Sequence, residues 1–296
     1  MEAIIVIVGF LGAGKTTLLK KLVKSYLEQK WNPFIILNDY ENANIDGQDF
    51  LEFLEPKQVR ALSGSCICCS GINELREQVN RIPSRAKGIT LIEANGTTDA
   101  VSLMGFLGVG MEEHFLPPIQ IAVVDVRDWQ KRGMHNELES NQVQVSSLII
   151  LNFVGKVDIE RVVQVEQDLR AINKNAIITH WDKLDVEELA SLHPSDNAAK
   201  KMDHKKAHWS SCSIDLPDPM DSELLTRVID RIPSDILRVK GCTRVDKNEN
   251  YSHFERTPSG EVSVRPYRGK PITGPKLLTI GPGSDPDMLK TLIYNS

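Results

Sequence analysis

Ile4-Ile5-Val6-Ile7-Val8 leads directly into Gly9-Phe10-Leu11-Gly12-Ala13-Gly14-Lys15-Thr16-Thr17, and Leu18, Leu19, Leu22, Val23 and Tyr26 follow at helical spacing. An apolar β-branched run, a loop of pattern G-x-x-x-x-G-K-T and a helix make up the context that a phosphate-binding loop requires. Gly9, Gly12 and Gly14 permit tight turns and expose backbone N–H groups, which converge with the helix N-terminus on an anion. Lys15 would reach the β- and γ-phosphates of a nucleoside triphosphate, and the Thr16 hydroxyl would sit on Mg²⁺.

The rest of the chain reads as strands alternating with helices, the pattern of a mostly parallel, doubly wound sheet. Strands are expected at Phe34–Leu37, Val59–Leu62, Gly88–Ile92, Ile119–Asp125, Ser147–Asn152 and Ala176–Thr179. Helices are expected from about Gly71, over Asp128–Gln144 and over Ile159–Ile172. The second strand ends in the polar loop Asn38–Gly47, and the fourth in Glu93-Ala94-Asn95-Gly96-Thr97-Thr98-Asp99. Loops at the carboxyl ends of strands are where ligands bind in such sheets, and an acid at Glu93 would face the Mg²⁺ or its water shell.

A lysine-rich linker follows, and the pattern then changes to alternating strands at Trp209–Ile214, Ile236–Val239, Tyr251–Arg256, Gly260–Arg265 and Lys276–Ile280, with helices at Asp221–Ile232 and Pro286–Tyr294. The expected organisation is an α/β P-loop domain over 1–185, a linker over 186–207 and a small α+β domain over 208–296.

Composition limits the partners. The 296 residues are 41% hydrophobic and 25% charged with a net charge of −5. That balance gives no electrostatic case for nucleic acid or an anionic membrane. No apolar stretch is long enough to span a bilayer, and the N-terminal apolar run ends in the glycine loop instead of a cleavage site, so a cytoplasmic location is expected. Three of the five cysteines crowd into Cys66-Ile67-Cys68-Cys69. Such crowding points to metal binding or thiol chemistry instead of a disulfide framework. Cys212 and Cys242 stand in apolar surroundings and read as small core residues.

The P-loop, Cys66-x-Cys68-Cys69 and Glu93-x-x-Gly96, in this order, resemble the CobW-like family of metal-associated P-loop GTPases. The segment from His208, with Arg238-Val239-Lys240-Gly241, looks like that family's C-terminal domain, so the resemblance covers nearly the whole chain. It implies GTP hydrolysis coupled to delivery of a transition metal, often zinc or cobalt, to a client metalloprotein. Its relatives supply nickel to urease and hydrogenase or handle cobalt in cobalamin synthesis. By the family motif Gly9, Gly12, Ala13, Gly14, Lys15, Thr16 and Thr17 hold the phosphates, Thr16 and Glu93 hold Mg²⁺, and Glu93 and Gly96 read the γ-phosphate side. The loop from Asn38 to Asp46 corresponds to switch I, with Asp39 where a glutamate is common, and Lys15, Thr16, Glu93 and Asp39 form the catalytic set. Cys66, Cys68 and Cys69 are the transition-metal ligands. A nucleotide-dependent homodimer is one assembly open to such a protein.

Thiolates are soft ligands suited to Zn²⁺, which favours four-coordinate sites. Three clustered sulfurs leave a ligand to be found in water, a remote side chain or a partner, and an open site of that kind suits transfer more than storage. His114, His204 and His208 are the remaining candidates, the last two at a spacing of four. The guanine motif of the family, Asn-Lys-x-Asp after the sixth strand, is irregular: Asn152-Phe153-Val154-Gly155-Lys156-Val157-Asp158. Either Asn152 keeps its place ahead of a three-residue insertion, or Gly155-Lys156-Val157-Asp158 is the motif with its asparagine lost. Asn152, Lys156 and Asp158 are the candidate base readers, and the choice between GTP and ATP stays open. Two rival readings also stand, a nucleotide-gated zinc sensor or sink with little turnover and an ATP-preferring enzyme with non-metal thiols.

Overall fold

A computed structural model describes residues 1–38, 50–62, 71–195 and 211–294, apart from 235, 237, 258–259, 268–270, 272–273 and 282–283. The chain divides into two units, residues 1–207 and 208–296.

The first unit is built on a seven-stranded sheet ordered β3-β2-β4-β1-β5-β6-β7. The strands are β1 Ala3–Val8, β2 Asn32–Leu37, β3 Val59–Ala61, β4 Gly88–Glu93, β5 Ile119–Asp125, β6 Leu148–Asn152 and β7 Ile177–His180. Every neighbouring pair is parallel. Strands covered on both faces read as unbroken apolar runs, which is why β1 does not alternate. Ile4, Val6 and Val8 of β1 enter one core, and Ile5 and Ile7 enter the other. The helix that follows the P-loop, α1 (Lys15–Glu28), covers the second face with Leu18, Leu22 and Tyr26. On the first face lie α2 (Gly71–Asn80), α3 (Ala100–Leu107), α4 (Asn136–Gln144) and α5 (Ile159–Ile172), through Val79, Leu103, Val143 and Val165. This is the doubly wound α/β fold expected from the sequence, with the carboxyl ends of β1, β2, β4, β5 and β6 at one edge.

Two local expectations are corrected. The helix foreseen over Asp128–Gln144 begins only at Asn136. Gln130 and Gly133 adopt φ of 58° and 59°, which a right-handed helix does not accommodate. The strand foreseen over Ile236–Val239 runs instead from Arg238 to Arg244. Ile236 belongs to the turn before it, its N–H donating to the Pro233 carbonyl at 3.1 Å.

The second unit carries a five-stranded antiparallel sheet ordered β11-β10-β9-β12-β8. Its strands are β8 Ser211–Asp215, β9 Arg238–Arg244, β10 Tyr251–Arg256, β11 Val262–Tyr267 and β12 Lys276–Ile280. Two helices, α6 (Ser222–Arg231) and α7 (Pro286–Tyr294), bury Leu225, Val228, Leu289 and Ile293 against Val239, Phe254 and Leu277. Cys242 is fully buried, and burial pushes its thiol up to about 12. Gly241 stands opposite Phe254 on the neighbouring strand, and a Cβ there would run into the Phe254 ring. Gly241→Ala is therefore expected to destabilise this unit by about 1–3 kcal/mol through overpacking, read as a lowered midpoint in thermal or urea unfolding. Among the described residues no helix is long and apolar enough to cross a membrane.

Candidate nucleotide site

The P-loop turns from β1 into α1 through three positive-φ glycines, Gly9, Gly12 and Gly14 at 146°, 79° and 104°. Lys15, the first residue of α1, is buried, and its Nζ curls back to donate to the Phe10 carbonyl at 3.2 Å. Thr17 is exposed.

Strand order then decides which acid meets this loop. β4 lies beside β1 with Glu93 opposite Ile7, and the Thr16 hydroxyl donates to Glu93 Oε1 at 2.7 Å. A hydroxyl and a buried carboxylate side by side are hard oxygen donors and fit Mg²⁺. Asn38, at the end of β2, donates its N–H to the Glu93 carbonyl at 3.0 Å. Its Nδ2 is buried with no hydrogen-bond partner among the described residues.

The turn after Glu93 is fastened by side chains of α4, within the stretch expected from the sequence to be a long helix. Gln142 Nε2 donates to the carbonyls of Gly96 at 3.0 Å and Thr98 at 3.2 Å, and Asn141 Oδ1 accepts from Ala100 N at 2.8 Å. Asp99 caps α3, accepting from Ser102 N at 3.2 Å. Gly96 itself lies against Leu11 of the P-loop. No helix was foreseen at α3, and nothing in the sequence reading singled out Asn141 or Gln142.

A second group missed by the sequence holds the P-loop from the side of β5. Arg132 lies 4.3 Å over the Phe10 ring and pairs with Glu139, Nε to Oε1 at 2.8 Å. Both side chains are buried, and Glu139 Oε2 also accepts from Gln130 N at 2.9 Å. Burial raises the Glu139 carboxyl against the opposing pull of Arg132. Burial, followed by the Arg132 charge, lowers the imidazole of His135, whose ring stands 6.4 Å from that of Phe10.

At the end of β6, Asn152 Nδ2 donates to the Ala13 carbonyl of the P-loop at 2.9 Å, and its Oδ1 accepts from Phe153 N at 2.9 Å. Phe153 takes φ 62°, and the Arg127 guanidinium lies 3.7 Å from its ring centre. Two hydrogen bonds from Nε and Nη2 to Asp125, at 3.0 and 2.8 Å, hold that guanidinium. Asp158 caps α5, accepting from Arg161 N at 2.8 Å. An open hollow of about 590 Å³ is lined by Lys131, Gly155, Lys156, Val157, Asp158 and Arg161, with Lys156 exposed.

Asp39, Cys66, Cys68, Cys69, His204 and His208 lie outside the described residues. The cysteine segment follows Leu62, whose N–H donates to the Leu37 carbonyl at the carboxyl end of β2. His114 is placed at the opposite edge: Glu2, just before β1, donates its N–H to the His114 carbonyl at 2.7 Å. Its ring stacks 4.1 Å from that of Phe115. His114 is a candidate for the remaining zinc ligand, and the cysteines it would join lie outside the described residues.

Residues 3–180 match the family model described as CobW/HypB/UreG, nucleotide-binding domain. Among curated proteins the chain is 26% identical over 278 residues to the zinc chaperone YjiA of Escherichia coli, covering 86% of this chain and 85% of that one. It is 26% identical over 209 residues to a zinc-regulated GTPase metalloprotein activator 1 of Dictyostelium discoideum, covering 58% of this chain and 44% of that protein. Among solved structures, Zn(II)-bound YjiA GTPase from E. coli aligns over 99% of this chain and 98% of that one, at 18% identity and a TM-score of 0.41.

Proposed function

The chain belongs to the CobW/HypB/UreG nucleotide-binding family of P-loop GTPases, and from that premise we propose that it hydrolyses GTP to drive binding and delivery of a transition metal, zinc foremost, to a client metalloprotein in the cytoplasm. The observation that carries the reading is the 2.7 Å bond between Thr16 and Glu93 beside a buried Lys15. It gathers a cation, a hydroxyl and a carboxylate at the mouth of a P-loop, which is the apparatus of phosphoryl transfer to water.

In this reading the loop N–H groups and Lys15 hold the β- and γ-phosphates and stabilise the charge that develops on their oxygens. Thr16 and Glu93 would hold a Mg²⁺ ion, which would supply charge neutralisation to the phosphates. Gly96, lying against Leu11, brings a backbone N–H toward the γ-phosphate side. The bond that breaks joins the γ-phosphorus to the bridging oxygen, and water supplies the oxygen that replaces it.

Zinc is the cargo in this reading, taken by Cys66, Cys68 and Cys69. The support is the softness of thiolates and the place of the segment in the chain, between β3 and α2 and directly after Leu62, whose N–H donates to the Leu37 carbonyl at the carboxyl end of β2. Coupling between the two ligands must be reciprocal and is typically 5- to 150-fold. Zinc affinity is therefore expected to differ by about tenfold or more between the GDP-bound protein and that bound to a non-hydrolysable GTP analogue. Titration against a competing chelator measures it. Equal affinities in the two states would sink the coupling. Cys66→Ser/Cys68→Ser/Cys69→Ser should abolish tight zinc binding and leave nucleotide binding in place.

A further inference from the structure

Asn152 closes β6 with its amide on the P-loop, so the residue three places on is Gly155. Asp158 comes three residues later still, as the cap of α5. Guanine and adenine differ at the edge such a segment faces. Guanine offers N1–H and an exocyclic amine as two parallel donors; adenine offers an N1 lone pair and one amine. A carboxylate on that edge accepts twice from guanine and repels the adenine lone pair. Sites that read a ligand through such hydrogen bonds reject its analogue by about 10⁴-fold or more. Stacking makes little distinction, because every base has a π-face.

Among the described residues lining the hollow, Asp158 is the one acid, and it shares the space with Lys131, Lys156 and Arg161. One of its oxygens is taken by the Arg161 N–H. Phe153, the residue after Asn152, and the Arg127 guanidinium instead form a half-exposed flat pair, 3.7 Å apart and fixed by Asp125. Both groups stack on bases. We infer that this chain holds the base of its nucleotide by stacking on the Phe153–Arg127 pair instead of through an acid, binding GTP and ATP with similar affinity, and that Gly155 is the position at which guanine specificity is withheld. This rests on the triphosphate-binding part of that reading and widens its nucleotide from GTP alone to either purine.

The test is calorimetric titration of the full chain with GDP and with ADP. The two dissociation constants are expected within about tenfold of each other. Gly155→Asp should raise the preference for GDP at least tenfold; a Cβ at this exposed glycine meets nothing within 4 Å, so the carboxylate can be accommodated. Phe153→Leu keeps the packing, removes the π-face, and should weaken both nucleotides by a similar factor. A wild-type preference for GDP well above tenfold overturns the inference. If Asp158→Ser, which retains a helix cap, then abolishes that preference, Asp158 is the base reader. An unchanged ratio in Gly155→Asp overturns the part assigned to Gly155. Failure to bind either nucleotide removes the underlying triphosphate reading itself, a result distinct from strong GDP selectivity.

Discussion

Lys15→Ala should cut nucleotide hydrolysis by at least a hundredfold while the protein stays folded. Lys15 is 5% exposed, and its Nζ rests on the Phe10 carbonyl, inside the turn that the phosphates would enter. The ammonium is thus already desolvated and aimed before the substrate arrives. Preorganised donors of this kind act where charge develops on the transferring phosphoryl group, and loss of one typically costs about 10²–10³ in turnover. Alanine leaves α1 intact because it is the best helix former. Phosphate release at saturating nucleotide, beside a far-UV dichroism spectrum, measures both halves of the claim. Turnover within tenfold of wild type would mean that Lys15 does not serve the reaction. Arginine is not expected to rescue, since its planar fork cannot take the place of a compact ammonium in a closed turn.

The first unit was legible where one physical cause acts locally. Ile4–Val8 had to be a doubly covered strand because every residue is apolar, and the glycines after it had to be a turn. Asp158 carried a plain cap signal, an acid immediately before a helical run, which competed with its reading as a base contact. What the pattern hid lies in long-range pairings. Gln142 and Asn141 are polar residues in a polar stretch, yet they are buried because α4 packs on the turn after β4, where they satisfy its carbonyls and the Ala100 N–H. α3 is almost wholly apolar and contains Gly105, so no amphipathic period marks it, and its cap Asp99 was taken as part of a phosphate loop. The Arg132–Glu139 pair reaches Phe10 only because β5 lies beside β1, a fact of strand order that no local spacing records.

The same neighbouring of β1 and β5 leaves Gly9 little able to change. Val8 pairs with Ala122, so the chain leaving β1 passes directly over Val123. Gly9 holds φ 146°, a conformation that side-chain-bearing residues rarely adopt, and a Cβ would run into the Val123 carbonyl oxygen. That oxygen belongs to the backbone of a central strand and cannot swing aside as the tip of a side chain would. The void beside it, lined by Gly9, Phe10, Val123, Trp129 and Glu139 among others, measures about 10 Å³. It is no larger than the space one water needs, so it offers no room for relief. Gly9→Ala should therefore combine a conformational cost of about 1–3 kcal/mol with an overpacking cost of similar size. The melting transition of the first unit is expected to fall by roughly 5–15 °C, with that of the second unit unchanged. Nucleotide affinity should fall with it, since relief of the clash has to displace the loop whose N–H groups face the phosphates. Scanning calorimetry with and without nucleotide separates the two effects. A variant that melts within 2 °C of wild type and binds GDP normally would show that the loop can shift away from β5 at little cost, against the close packing of Gly9 on Val123.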